Sequence, residues 1–187
     1  MKKPFVIAID GASSTGKSTL AKGLAKALGF PHVDSGAMYR GVTLYVQQHG
    51  LIENKKVKTE TLLSQLDDIH LRFEGDTFWL NGVDVSAEIR SMQVSEAVSL
   101  VAAIPEVRTF LVAQQRIMGA NQSVVMDGRD IGTVVFPKAD IKLFLTADVN
   151  IRAQRRFDEL SAQNTLTSVA EVRNNLAERD HLDSTRA

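Results

Sequence analysis

Short apolar strands alternating with amphipathic helices predict an α/β protein: a three-layer parallel sheet with a small antiparallel meander inserted into it. Three observations carry this. Residues 5–9, 124–126 and 141–145 are apolar runs of the kind that strands buried on both faces of a parallel sheet require. Stretches of helical period separate them. Residues 69–85 change period, with apolar and polar residues alternating over 69–74, and contain Asn81-Gly82, a strong hairpin signal.

The elements follow in order. Residues 5–9 form the first strand, and a Gly/Ser/Thr loop leads into a helix. In that helix Leu20, Leu24 and Leu28 fall four apart with Ala21 and Ala25 beside them, Lys22 and Lys26 face outward, and Gly29 ends it. His32 and Val33 make a short second strand. Residues 35–48 read as a helix ending at Gly50. Residues 55–65 are polar and begin a less central region. In the meander Ile69, Leu71 and Phe73 alternate with His70, Arg72 and Glu74. A helix over 93–103 comes next. Pro105 suits the first position of another helix, which runs to Met118 and is stopped by Gly119. Two further buried strands occupy 124–126 and 141–145. A helix over 151–160 carries arginines, and "SVAE", Ser168 to Glu171, is a capping box opening a last helix toward Arg179.

At 187 residues the chain suffices for one domain with a sizeable core. Its hydrophobic fraction of 44% and charged fraction of 24% are ordinary for a globular protein. Formal net charge is zero, which argues against a broad electrostatic grip on nucleic acid or on an anionic membrane. There are no cysteines, so disulfides and thiolate metal sites are excluded; this fits a cytoplasmic protein. The N-terminal apolar run spans five residues and ends at Asp10, too short for a signal core or a membrane span.

"GASSTGKS", Gly11 to Ser18, matches G-x-x-x-x-G-K-[ST] between an expected strand and an expected helix. Gly11 and Gly16 permit the angles that wrap backbone N–H groups around phosphate oxygens, and the helix N-terminus adds positive potential. Lys17 is placed to reach β- and γ-phosphates, and the Ser18 hydroxyl to ligate Mg²⁺. A nucleoside triphosphate is the ligand this pattern takes.

Beyond Lys142 all six cations are arginine: Arg152, Arg155, Arg156, Arg173, Arg179 and Arg186. Arginine binds phosphate bidentately where lysine offers a point charge. Arg152, Arg155 and Arg156 are spaced to share one helix face, which suits a lid over a transferred phosphoryl group. A solvated, salt-bridged face accounts for the spacing as well. In "DSGAMYR", Asp34 to Arg40, ordinary N-capping by Asp and Ser is the simpler account; a helix start with a cation one turn on is the other. In "DGRD", Asp127 closes an apolar strand, either as a turn residue or as a partner for Mg²⁺ or its water shell. Arg129 and Asp130 then offer a cation and an acceptor for a second, phosphorylated substrate.

"GASSTGKST", "DSGAMYR", "DGRDIGTVVFP" and "ERDHLDSTRA" occur here in the order found in bacterial cytidylate kinases, of the nucleoside monophosphate kinase fold. "GVDVSAEIR" resembles that family's enlarged monophosphate-binding region. The resemblance covers nearly the whole chain. It implies transfer of the ATP γ-phosphate to CMP or dCMP, with Mg²⁺, in pyrimidine nucleotide metabolism. ATP would lie on Gly11, Ala12, Ser13, Ser14, Thr15, Gly16, Lys17, Ser18 and Thr19, and Mg²⁺ on Ser18 and Asp127, the latter directly or through water. Ser35, Arg40 and Arg129 would hold the acceptor phosphate. Ser99, Arg108 and Asp130 would read cytosine, and Tyr39, Asp183 and Arg186 would contact the ribose. Arg152, Arg155, Arg156 and Arg179 would belong to the lid or its flank, unranked, with Lys17 and Arg129 completing the catalytic charge.

The same resemblance divides the chain into a core (1–33 and 120–148), a monophosphate-binding region with the insertion (34–119) and a lid with its flanking helix (149–187). It implies a further strand and helix beyond Ala187, including part of the loop near the adenine, so the stretch given is expected to lack them. A monomer acting on small molecules is expected. The alternatives are a fragment that binds nucleotides without full turnover, a kinase of the same fold for another small acceptor, and a nucleotide-dependent switch or ATPase.

Overall fold

A computed structural model describes residues 3–162 and 167–184; within the last helix the side chains of Arg179 and of residues 182–184 lie outside the description. Four parallel strands form the central sheet in the order β2-β8-β1-β9. They are β1 (Val6–Gly11), β2 (His32–Asp34), β8 (Val124–Gly128) and β9 (Ile141–Leu145).

Parity within the apolar runs builds the layers. Ile7, Ile9 and Val125 point to one face and pack on Ala21 and Ala25 of α1 (Lys17–Leu28). Val6, Ala8, Val124 and Met126 point to the other, the larger core. That core is closed by α2 (Ser35–Gln48), α4 (Met92–Ala102) and α5 (Pro105–Asn121). Successive strand residues alternate faces, so one short run feeds two cores.

The insertion is the expected meander. β5 (Leu71–Glu74), β6 (Thr77–Leu80) and β7 (Val83–Asp84) are antiparallel neighbours, with Leu80 opposite Val83 across Asn81-Gly82. Both turn residues have positive φ, 49° and 81°, which is the tight primed hairpin turn that Asn-Gly favours. Ahead of it the polar stretch 55–65 is more ordered than its composition suggests. β3 (Ile52–Glu53) and β4 (Lys56–Val57) form a small hairpin, and α3 (Thr59–Ser64) buries Leu62 in the main core. One fully buried leucine per turn anchors such a segment, and a single leucine has no periodicity to read.

Three expectations are corrected. In α1 the buried stripe is Ala21 and Ala25, whereas Leu20 and Leu28 are 42% and 46% exposed. Small residues on the sheet side let the helix approach closely, and its N-terminus then sits over the strand ends. Gly119 does not stop α5, which runs on to Asn121. A Cβ there would lie 2.5 Å from the Phe136 ring, so this glycine admits an aromatic rather than a chain reversal. β9 is no buried strand: Phe144 is 72% exposed, and Ile141 and Leu143 are also exposed. Among the described residues β1 is its only strand neighbour, which makes it an edge.

Two arginine-bearing helices follow the sheet. α6 (Val149–Ala162) packs on α7 (Val169–Ser184) through Ala153, Leu160, Val172 and Leu176, with Met92 of α4 against them. The capping box at the start of α7 is present: the Ser168 N–H donates to Glu171 Oε2 at 2.8 Å, and the Glu171 N–H to Ser168 Oγ at 3.2 Å.

Candidate active site

Parallel register brings the C-terminal ends of all four strands to one edge. Asp10 lies beside Gly128, and Asp34 and Ile9 both pair with Asp127. The loop after β1 and the turns after β2 and β8 therefore open onto one cleft of about 1110 Å³. That lies at the upper end of the ~300–1,000 Å³ of ordinary ligand pockets.

The phosphate loop occupies one end. Gly11 and Gly16 have φ of 153° and 91°, and Ser14, a non-glycine, also has a positive φ of 59°. A side chain at Gly11 would collide with the Leu145 carbonyl of β9. Within the loop, Lys17 Nζ and Thr15 Oγ1 each donate to the Ala12 carbonyl at 3.0 Å. Ser13, Ser14, Gly16, Lys17, Ser18 and Thr19 line the cleft.

Beneath the loop Asp127 is 1% exposed and bonded on both oxygens. Ser18 Oγ donates to Oδ2 at 2.7 Å, and His32 Nε2 lies 2.6 Å from Oδ1. With the carboxylate ionised, that ring nitrogen carries the proton. These hard oxygen donors, one from α1 and one from β8, fit the expected magnesium ion. Among the described residues no group of three or more His, Cys, Asp or Glu side chains comes together. A magnesium ion that keeps its waters and rides on phosphates needs only one or two protein oxygens.

The same cleft is also lined by Ser35, Tyr39 and Arg40 of α2, Ser99 of α4, Arg108 of α5, and Arg129 and Asp130 after β8. Asp34 accepts from the Ala37 N–H at 3.0 Å and from Arg40 Nη2 at 2.7 Å, so it is both the helix cap and the partner of the cation one turn on. Burial works to raise the Asp34 carboxyl. The charge of Arg40, the Ala37 N–H and, more weakly, His32 outweigh it and hold the group below its ordinary value. Arg40 Nε is buried and makes no hydrogen bond among the described residues. Ser35 donates its hydroxyl to the Asp127 carbonyl at 2.8 Å, a contact possible because residue 128 is glycine, where a Cβ would strike that oxygen. Arg108 Nη2 donates to Asp130 Oδ2 at 2.9 Å.

The structure separates the three arginines of α6 that spacing alone left equal. Arg152 is buried and reaches the loop, donating from Nε to the Ala147 carbonyl at 3.2 Å and from Nη1 to the Ser13 carbonyl at 3.4 Å. Arg155 donates to the Thr15 carbonyl at 3.3 Å, on the outer side of the loop. Arg156 lines the cleft but pairs with Glu159 at 3.0 Å. The shared face thus divides into three environments. Arg129 Nη2 donates to Ser13 Oγ at 2.8 Å. Of the remaining expected residues, the Arg179 and Asp183 side chains and all of Arg186 lie outside the described residues.

Three participants were not found from sequence. His32 was read only as part of a strand. Asp180 lies 2.7 Å from Arg152 and 3.8 Å from Arg129. Asp10 accepts from the N–H groups of Ile131 (2.7 Å) and Gly132 (2.8 Å), which fixes the single π-helical turn Ile131–Val135 behind "DGRD". An acid directly before the first loop glycine was the available signal for Asp10; the other two are pairings between distant segments.

Strand, glycine-rich loop, helix and a buried acid beneath the loop define a nucleotide-binding α/β protein of the phosphate-loop class. A family model described as cytidylate kinase matches residues 7–187. The cytidylate kinase of Parabacteroides distasonis is 53% identical over 191 residues, covering 98% of this chain and 83% of the relative. That of Flavobacterium psychrophilum is 50% identical over 190 residues, covering 98% and 84%. That of Porphyromonas gingivalis is 48% identical over 194 residues, covering 100% and 84%. The chain belongs to the cytidylate kinase family, and it is a phosphotransferase. No helix among the described residues is long and apolar enough to cross a membrane.

Proposed function

We propose that this chain transfers the γ-phosphoryl group of ATP to CMP or dCMP, giving CDP or dCDP. The observation that carries it is an arginine–aspartate pair, Arg108 and Asp130 at 2.9 Å, which lines the same cleft as Ser99 and the phosphate loop. A carboxylate beside a guanidinium matches the exocyclic amine and the O2/N3 edge of cytosine. Uracil would set a carbonyl against Asp130. Arg40, with a buried Nε lacking a hydrogen bond among the described residues, suits the acceptor phosphate together with Ser35 and Arg129. Tyr39, Asp183 and Arg186 would take the ribose.

The chemistry needs no strong general base, because a phosphate oxygen of the acceptor is ionised at neutral pH. That oxygen attacks the γ-phosphorus in line. The new P–O bond forms as the bond to the β,γ-bridging oxygen breaks, and ADP leaves with that electron pair. Ser18 and Asp127 would hold magnesium, directly or through water, and when bound the ion would supply charge neutralisation for the phosphates. Lys17, Arg129, Arg152, Arg155, Arg156 and Arg179 divide the remaining charge, and closure of α6–α7 excludes water. The same reading puts the reaction in cytoplasmic pyrimidine nucleotide metabolism, with the chain acting as a monomer.

Coupled ADP production from ATP and Mg²⁺ with CMP, dCMP, UMP, AMP or no acceptor tests the reading. Turnover confined to CMP and dCMP is expected. Acceptor-independent hydrolysis, or equal turnover of UMP, overturns it.

A further inference from the structure

We infer that Asp180 is a positioning residue: its carboxylate holds Arg129 and Arg152 together at the phosphate loop, in the arrangement that phosphoryl transfer uses. The inference rests on the phosphotransfer reading above and adds a residue to it.

Four segments meet at this point. Asp180 Oδ2, on α7, is 2.7 Å from Arg152 Nη1 on α6. Its Oδ1 is 3.8 Å from Arg129 Nη1, in the loop after β8. Both arginines return to one loop residue, Arg129 to the Ser13 hydroxyl and Arg152 to the Ser13 carbonyl. The four residues close a ring across the phosphate loop, "DGRD" and both lid helices.

Two guanidinium groups at one anchor repel each other, and Arg152 is nearly inaccessible to water. A carboxylate between them offsets that repulsion, and its Coulombic effect is strongest on Arg152, the most buried of the three; Arg129 and Asp180 keep about a quarter of their side-chain surface in solvent. Asp180 Oδ1 is buried and accepts no hydrogen bond among the described residues. An acceptor left open toward Arg129 at 3.8 Å is loaded for a short closing motion, whereas a finished structural salt bridge would be satisfied on both oxygens. A purely structural role also has little to add, since α6 and α7 are already joined by Ala153, Leu160, Val172 and Leu176.

The test compares wild type with Asp180→Asn, Asp180→Glu and Leu62→Ala in CMP-dependent turnover and thermal unfolding. Asp180→Asn removes the charge and keeps the size; kcat is expected to fall by about tenfold or more with KM for CMP changing less than about threefold. Asp180→Glu should restore most of the loss. Leu62→Ala removes a buried contact of α3 in the main core, at a position that does not line the cleft, and should lower Tm with kcat retained. Asp180→Asn that lowers only Tm overturns the inference, as does a Leu62→Ala enzyme of equal Tm losing kcat to the same extent. Arginine guanidinium NMR with a non-hydrolysable ATP analogue provides a readout independent of turnover. Restricted rotation of Arg152 and Arg129 in wild type, released in Asp180→Asn, is expected. Equal mobility in both proteins sinks the inference, including in the case where wild type turns over no CMP and the proposed function itself falls.

Discussion

His32 Nε2 lies 2.6 Å from Oδ1 of Asp127, while Ser18 Oγ donates to Oδ2 of the same carboxylate. A strand residue and a phosphate-loop residue thereby fix one buried acid from opposite sides. Removing a hydrogen-bond partner from a buried carboxylate costs about 1–3 kcal/mol. His32→Ala should lose that amount in urea unfolding, and His32→Gln, which keeps a donor, should lose clearly less. Equal losses would mean the ring's packing matters and its hydrogen bond does not.

Arg108 and Asp130 should decide which pyrimidine is accepted. Opposing two acceptors in a partly dry site costs on the order of 2–4 kcal/mol. Wild type should therefore favour CMP over UMP in kcat/KM by roughly 30- to 800-fold. Asp130→Asn presents an amide that can turn its donor toward a carbonyl, so most of that ratio should disappear. An unchanged ratio would place base recognition elsewhere.

Asp34 makes stability depend on pH in a defined direction. Its folded-state pKa lies below the ordinary aspartate value, so the unfolded chain binds the proton more readily. The stabilisation is complete above that value and is lost as pH falls below it toward the folded pKa. Asn caps helices as well as Asp does, so Asp34→Asn isolates the charge interaction with Arg40. The Tm gap between wild type and Asp34→Asn should be largest well above the ordinary aspartate pKa of about 3.9 and should narrow as pH falls below it. A gap constant with pH would rule this account out.

Gly119→Ala sets two effects against each other. Alanine inside a helix gains about 1 kcal/mol over glycine. Its Cβ would sit 2.5 Å from the Phe136 ring, and overpacking of this kind costs about 1–3 kcal/mol. Net destabilisation of about 1 kcal/mol is expected in chemical denaturation, with Phe136→Leu restoring stability in the double variant. A more stable Gly119→Ala single variant would show that the ring moves freely.

How much of this was legible in the sequence follows from the range of each interaction. The three-layer class, the strand before the phosphate loop, the loop itself, the Asn81-Gly82 turn, the Pro105 helix start and the Ser168–Glu171 box all rest on residues a few positions apart, so the sequence alone determines them. Their signals are backbone angles, capping bonds and periodicity, none of which depends on a distant partner. The tertiary structure decided the rest. Leu20 and Leu28 have the period of a core stripe, yet the sheet selects Ala21 and Ala25 because only small side chains permit that close approach. Gly119 carries the composition of a helix stop, yet it makes room for a ring seventeen residues on. Arg152, Arg155 and Arg156 are equivalent by spacing and become three different groups once Ser13, Thr15 and Glu159 stand beside them. His32 with Asp127, and Asp180 with Arg152, join segments far apart along the chain. No local pattern marks such pairs, because the energy that selects them exists only after the sheet has brought the strand ends to one edge.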